Sequence, residues 1–123
     1  MRIEKFEDIE AWKEARNLNK MVYQASTTNP FKRDLALAAQ IQKAAISVMA
    51  NIAEGFDRQS NREFVQYLYI ASSSASEIQS HLYAALDLGY VKGEEFDTLY
   101  EQAQTVKKLI NGFIAYLKRR SSR

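Results

Sequence analysis

The stretch SNREFVQYLYIASSSASEIQSHLYAAL, residues 60–86, decides the fold. Phe64, Leu68, Ala71, Ala75, Ile78, Leu82 and Leu86 recur at steps of three and four residues. That is the period of one helix face and not of a strand. Ser60 with Glu63 three residues on is a capping box, which starts a helix by satisfying its first free amides. No Gly or Pro interrupts the run before Gly89. The spacing predicts a helix over residues 61–87, in which Ser72-Ser73-Ser74 are small residues that let a neighbouring helix approach closely.

Working outward, the same logic predicts three more helices. Asp8 can cap a helix over 8–27, with Ala11, Ala15, Leu18, Val22 and Ala25 on one face. Asn29-Pro30 reads as N-cap and first helical position of a helix over 30–54, with Gly55 as its stop. After the short connection Tyr90-Val91-Lys92-Gly93, acidic Glu94, Glu95 and Asp97 suit the positive end of a helix over 94–120. Its stripe is Phe96, Leu99, Ala103, Val106, Ile110, Phe113 and Leu117, and its end is basic. Helices of matched length, each about 30–40 Å at 1.5 Å per residue, joined by short loops pack as antiparallel neighbours. The expected fold is all-α: one domain over 1–123, an antiparallel up-and-down four-helix bundle.

The totals fit this reading. The chain has 123 residues and 46% apolar content, enough for one core. It has no Cys, which excludes disulfides and thiolate metal sites and suits a reducing, cytoplasmic setting. The charged start Met1 to Asp8 has no apolar region of a signal peptide, and no uninterrupted apolar run approaches spanning length, so no membrane partner is expected. The net charge of +2 means that any nucleic-acid reading rests on where the charges lie.

The apolar surface exceeds what a simple bundle needs. The second helix is apolar over about 220° of its wheel, with Leu37, Ile41, Ala45, Val48 and Ile52 on one side and Leu35, Ala39, Ile46, Met49 and Ala53 on the other. Val65, Tyr69, Ser76 and Tyr83 form a second ridge on the third helix, and Trp12 and Tyr23 lie off the stripe of the first. Two readings follow: a wide core with scattered surface aromatics, or a homo-oligomer with Trp12, Tyr23, Val65, Tyr69 and Tyr83 at its interface. Contiguous apolar surface favours the second.

Catalytic signals are poor. The lone histidine, His81, lies four residues from Glu77, and a bundle di-iron site needs a Glu-x-x-His pair on each of two helices. No zinc-protease, nucleophile-elbow, phosphate-loop or dinucleotide motif is present. No catalytic residue, metal or cofactor is expected. Basic rows are the stronger signal. Lys13, Arg16 and Lys20 share one strip of the first helix, flanked by Trp12 and Tyr23. On the fourth, Lys107 and Lys118 are eleven residues apart, about three turns, Lys108 and Arg119 repeat the spacing, and Arg120 and Arg123 extend the end. Rows of cations match a phosphate backbone, and aromatics can stack on unpaired bases; the plainer reading is two solvated faces. A narrow polar strip of the second helix, Arg33, Gln40, Lys43, Ser47, Asn51 and Glu54, ends beside Arg58 and Arg62. It reads as a hydrogen-bond and ion-pair clasp at the corner, with a small polar site at the bundle end as the functional alternative.

This corner carries a resemblance. Ala45-Ile46-Ser47-Val48-Met49-Ala50-Asn51-Ile52-Ala53-Glu54-Gly55-Phe56, followed by Arg58, Ser60 and Glu63-Phe64, resembles the four-helix-bundle family encoded in intervening sequences of bacterial 23S ribosomal RNA genes. The opening Phe6 to Trp12, the run Tyr67 to Ser74 with Glu77, and Leu88-Gly89-Tyr90 are similar to the same family. The resemblance implies a helical bundle, in some members a ring-shaped homopentamer. It extends to the accessory proteins of diversity-generating retroelements, which bind RNA and a reverse transcriptase through a basic surface. It carries over no catalytic residue, and it implies for Asn51, Glu54, Gly55, Arg58 and Glu63 the role of a structural corner. The expected function is a non-enzymatic homo-oligomer binding structured RNA through Lys13, Arg16, Lys20, Lys107, Lys108, Lys118, Arg119 and Arg120. The alternative is a protein-interaction scaffold, with a reverse transcriptase or another protein from the same operon as partner.

Overall fold

The computed structural model describes residues 3–121. Four helices follow in order: α1 (Glu10–Ser26), α2 (Leu35–Phe56), α3 (Asn61–Asp87) and α4 (Gly93–Ser121). Two short 3-10 turns, Phe6–Asp8 and Phe31–Arg33, precede α1 and α2. Each helix packs on its sequence neighbours and α1 closes on α4, so the architecture is the four-helix bundle that the periodicity implies. Ala15, Leu18, Ala45, Val48, Leu68, Ala71, Ala103 and Val106 are fully buried along the axis. Every position of the expected α1 stripe is buried, whereas Leu86, Phe96 and Phe113 are half-buried at the core margin.

Three helix ends differ from expectation, each for a local hydrogen-bonding reason. Asp8 does not cap α1. Its carboxylate accepts from the amides of Glu4 (3.1 Å) and Lys5 (3.3 Å), which closes the upstream turn, and α1 starts two residues later with Ile9 as its N-cap. Asn29 does not cap α2. The Asn29–Pro30 peptide is cis, the chain turns through Phe31–Arg33, and Asp34 is the cap, its Oδ1 accepting from the Leu37 amide at 3.0 Å. Arg33 therefore lies before the helix on which the polar strip placed it. Gly55 does not stop α2, which runs to Phe56 with Asp57 as C-cap. Gly55 is buried inside the helix, and a Cβ there would lie 2.7 Å from Phe64 Cδ1 and 2.8 Å from Tyr67 Cβ. Its role is close packing against α3. Ser60 caps α3 as expected, accepting from the Glu63 amide at 3.2 Å. Gly89, after α3, takes the left-handed φ of 79° that its missing Cβ makes inexpensive.

The other carboxylate oxygen of Asp34 accepts from Tyr90 Oη at 3.0 Å, and the Tyr90 ring stacks on buried Phe31 at 5.3 Å. One acid thus ties the start of α2 to the α3–α4 connection. That hydrogen bond, then partial burial and the Asp34 charge, holds the Tyr90 hydroxyl above the ordinary tyrosine range. The most extensive helix pair is α2 with α3. There Ser74 is buried with its Oγ 2.8 Å from Ser47 Oγ, so of the three serines Ser74 makes the close α2–α3 approach, while Ser73 is exposed.

Contrary to the expectation from uninterrupted runs, α2 is long and apolar enough by length and composition to cross a bilayer. In the bundle, however, one stripe of it forms the core contact with α1 and α3.

Candidate nucleic-acid and assembly surfaces

The two basic rows occupy different faces. On α1, Lys13, Arg16 and Lys20 are exposed and line a shallow groove with Glu14, Asn17, Asn19 and, from α2, Met49. Lys13 meets Glu10 at 3.9 Å, with both side chains about half exposed, so solvent screens most of that attraction. The Arg16 guanidinium sits 5.9 Å over the Trp12 ring. Among the described residues neither Arg16 nor Lys20 has a carboxylate at ion-pair distance. The flank of α1 that meets α4 is marked by Glu14, which accepts from Gln102 Nε2 through its carbonyl at 3.0 Å and its carboxylate at 2.8 Å.

On α4 the opposite flank is basic. Lys107 donates to Gln79 Oε1 of α3 at 3.2 Å, and Gln79 donates to Gln104 at 2.9 Å. Lys118 donates to Tyr69 Oη at 2.7 Å and lies 5.2 Å from the ring centre. Lys107 is drawn into the α3–α4 seam, whereas Lys118 stays exposed beside Tyr69. Lys108 and Arg119 project from the exposed side of α4, and Arg120 sits 5.6 Å over the Tyr116 ring. Arg123 lies outside the described residues. The rows therefore do not merge into one track.

The residues expected at a subunit interface divide. Tyr69 (47%) and Tyr83 (50%) are exposed, and Tyr23 is at the margin. Val65 is not available: it is 7% exposed and belongs to the core, because the α3 face that packs is wider than the seven-residue stripe. Trp12 is half-buried, edge-on to Phe6 at 5.0 Å. Tyr83 joins Phe96 and Tyr100 in an aromatic cluster across the seam. The proximity of Tyr83, with partial burial, raises the Tyr100 hydroxyl above its ordinary range. The second apolar side of α2 is exposed, with Leu35 at 78% and Ile46 at 44%. Ile70 and Tyr116, which sequence reasoning did not single out, are exposed too.

The corner is built by packing and amide hydrogen bonds, not by an ion-pair clasp. Asn51 Nδ2 donates to the Ser47 carbonyl (2.8 Å) and hydroxyl (3.0 Å), and Gly55 fits against Phe64. Among the described residues no ion pair joins Glu54 or Glu63 to Arg58 or Arg62. Arg58 instead lies 4.7 Å over the Tyr67 ring. Beside it is a pocket of about 390 Å³ between the corner, the N-terminal segment and the last turns of α4. His81 Nε2 lies 3.1 Å from the Glu77 carboxylate, and among the described residues no three His, Asp or Glu side chains are placed to hold a metal.

The family model of the 23S rRNA-intervening sequence protein matches residues 7–112. The chain belongs to this family. A crystal structure of a protein of unknown function from the S23 ribosomal protein family of Bacteroides thetaiotaomicron is similar in fold. It has a TM-score of 0.78 at 20% identity, over 85% of this chain and 97% of that one. No curated protein matches the sequence. Membership accounts for the shared bundle and for the corner residues that carried the resemblance; family and structural neighbour are both without an assigned activity.

Proposed function

We propose that this family member is a non-enzymatic, homo-oligomeric bundle that acts in the cytoplasm and binds structured RNA through phosphate contacts. The observation that carries the proposal is the α1 row: Lys13, Arg16 and Lys20 exposed along one groove, Arg16 beside an aromatic ring. Lys108, Lys118, Arg119 and Arg120 on α4 add charge at a second face, whereas Lys107 is half-buried against Gln79 in the α3–α4 seam. A row of cations at successive helical turns follows a phosphate backbone without reading bases, so affinity should depend on RNA shape and salt more than on sequence.

The test is fluorescence anisotropy with a structured RNA and a matched duplex DNA at several salt concentrations. The expected result is binding whose logarithm falls linearly with log salt, by about 0.9 for each duplex phosphate neutralised. Lys13→Glu, Arg16→Glu and Lys20→Glu together should abolish it while leaving the helical circular dichroism intact. Absence of binding at low salt overturns the proposal. A second reading, a scaffold for a protein partner such as a reverse transcriptase, is favoured by the exposed apolar side chains Leu35 and Ile46 on α2. It predicts a complex that survives the same triple substitution.

A further inference from the structure

We infer that the pocket at the α2–α3 corner is a binding site for a nucleoside phosphate. The site is separate from the α1 row and does not depend on RNA binding there. One wall is aromatic. Phe56 meets Phe64 at 6.2 Å, Phe64 meets Phe113 at 5.3 Å, and Phe113 stacks with Tyr116 at 6.2 Å, so three elements contribute one run of rings along the pocket. Two arginines stand at its sides: Arg58 over Tyr67 and Arg120 over Tyr116. Gln59, Ser60 and Asn61 also line it and supply polar groups.

Charge and shape together define the ligand. The lining residues include two guanidinium groups and no carboxylate. Asp57 and Glu63, the acids on the adjoining turn, are exposed and are not part of the lining. Neither arginine has an ion-pair partner among the described residues. Each is held over a tyrosine ring, which orients the planar fork without neutralising it. A pocket with uncompensated arginines calls for an anion, and guanidinium groups match phosphate oxygens two at a time. The run of rings calls for a planar apolar face beside that anion, because aromatic side chains stack on any nucleobase. A volume of about 390 Å³ falls within the range of small-molecule sites. A phosphate alone would leave the rings unused, and an apolar ligand would leave the arginines facing nothing.

Arg58 and Arg120 are both exposed, so their replacement should leave the bundle folded. The experiment is an NMR titration of the 15N-labelled chain with adenosine 5′-monophosphate, with inorganic phosphate and adenosine as separate probes. The nucleotide should shift the Gln59, Ser60 and Asn61 amide signals saturably, and each half-ligand should bind at least about tenfold more weakly. Arg58→Gln and Arg120→Gln should each weaken nucleotide binding about tenfold or more, the value of a lost charge-assisted hydrogen bond. Lys92→Gln, at the other end of the bundle, should leave it unchanged. A short 5′-phosphorylated RNA that binds tighter than the nucleotide, with the same arginine dependence, assigns the pocket to a nucleotide within RNA; equal or weaker binding assigns it to the free nucleotide. No saturable shift at those amides, equal affinity for inorganic phosphate, or indifference to both arginine substitutions overturns the inference.

Discussion

Gly55 shows how one position can carry a corner. Alanine is the best helix former, and replacing a mid-helix glycine with it normally stabilises by up to about 1 kcal/mol. At Gly55 the added methyl would sit 2.7 Å from a Phe64 ring carbon and 2.8 Å from Tyr67 Cβ, closer than carbon atoms pack. The second contact is to the stem of a side chain on α3, so relief requires the α2–α3 pair to separate. Gly55→Ala should therefore destabilise by about 1–3 kcal/mol, as overpacking does, measured as a lower urea midpoint with an unchanged slope. A neutral or stabilising result would mean that the helices part freely and that the residue has no packing role. The sequence alone could not distinguish this glycine from a helix stop. Both readings place Gly at the end of an apolar run, and only the partner across the corner decides between them.

At the scale of elements, competition for hydrogen bonds explains why helix existence and the bounds of α3 were legible while the starts of α1 and α2 were not. The period of α3 runs over its whole length, so no alternative fits it. A cap is chosen by one side chain among several candidates: Asp8 and Asn29 had the right chemistry, but Asp8 binds upstream amides and Asp34 stands closer to the start of α2. The same limit applies to the candidate site. The cation rows were visible as spacing, but the contacts of Lys107 with Gln79 and of Lys118 with Tyr69 depend on which helix lies beside α4, and the α3–α4 pairing is tertiary. The Asp8 turn makes a testable case. The Glu4 amide, then the Lys5 amide and the Lys5 charge, favour the carboxylate and hold Asp8 below the ordinary aspartate range despite an opposing desolvation contribution. A depressed folded pKa means that the stabilisation is fully present above the unfolded value and is lost as pH falls through the folded one. Acid titration followed by NMR should therefore move the Glu4 and Lys5 amide signals with a midpoint below about 3.9, the free-aspartate value. Asp8→Asn should remove that titration. A midpoint at or above the free value would show that the turn does not depend on the charge.

For the whole molecule, the decisive feature is that exposed apolar surface appears on more than one helix. Leu35 and Ile46 mark the outer side of α2; Tyr69 and Ile70 mark α3. If copies of this chain meet through a pairing of α2 surface with α3 surface, the contact is heterologous, and repeating it closes a ring or runs on as a filament. The ring expected from the family resemblance is the closed case. A pairing of α2 with α2 would be isologous and stop at a dimer. Light scattering at tens of micromolar separates these outcomes from a 14.1 kDa monomer, which would overturn homo-oligomerisation. Two substitutions separate the geometries. Ile46→Lys and Ile70→Lys each place a charge on an exposed position, so each variant should keep the helical signal of the parent, and under heterologous pairing each should fail to form the full assembly. Under heterologous pairing, mixing them restores one good interface: the intact α3 surface of the first meets the intact α2 surface of the second. The mixture should then form a heterodimer that cannot grow, because its two remaining surfaces are both charged. Under isologous α2 pairing the mixture gains no new contact: Ile70→Lys still dimerises on its own through its intact α2 surface, and Ile46→Lys has no α2 surface to offer it. A mixture that contains only the species seen for the separate variants would therefore rule out the head-to-tail arrangement, even if the parent chain proves oligomeric.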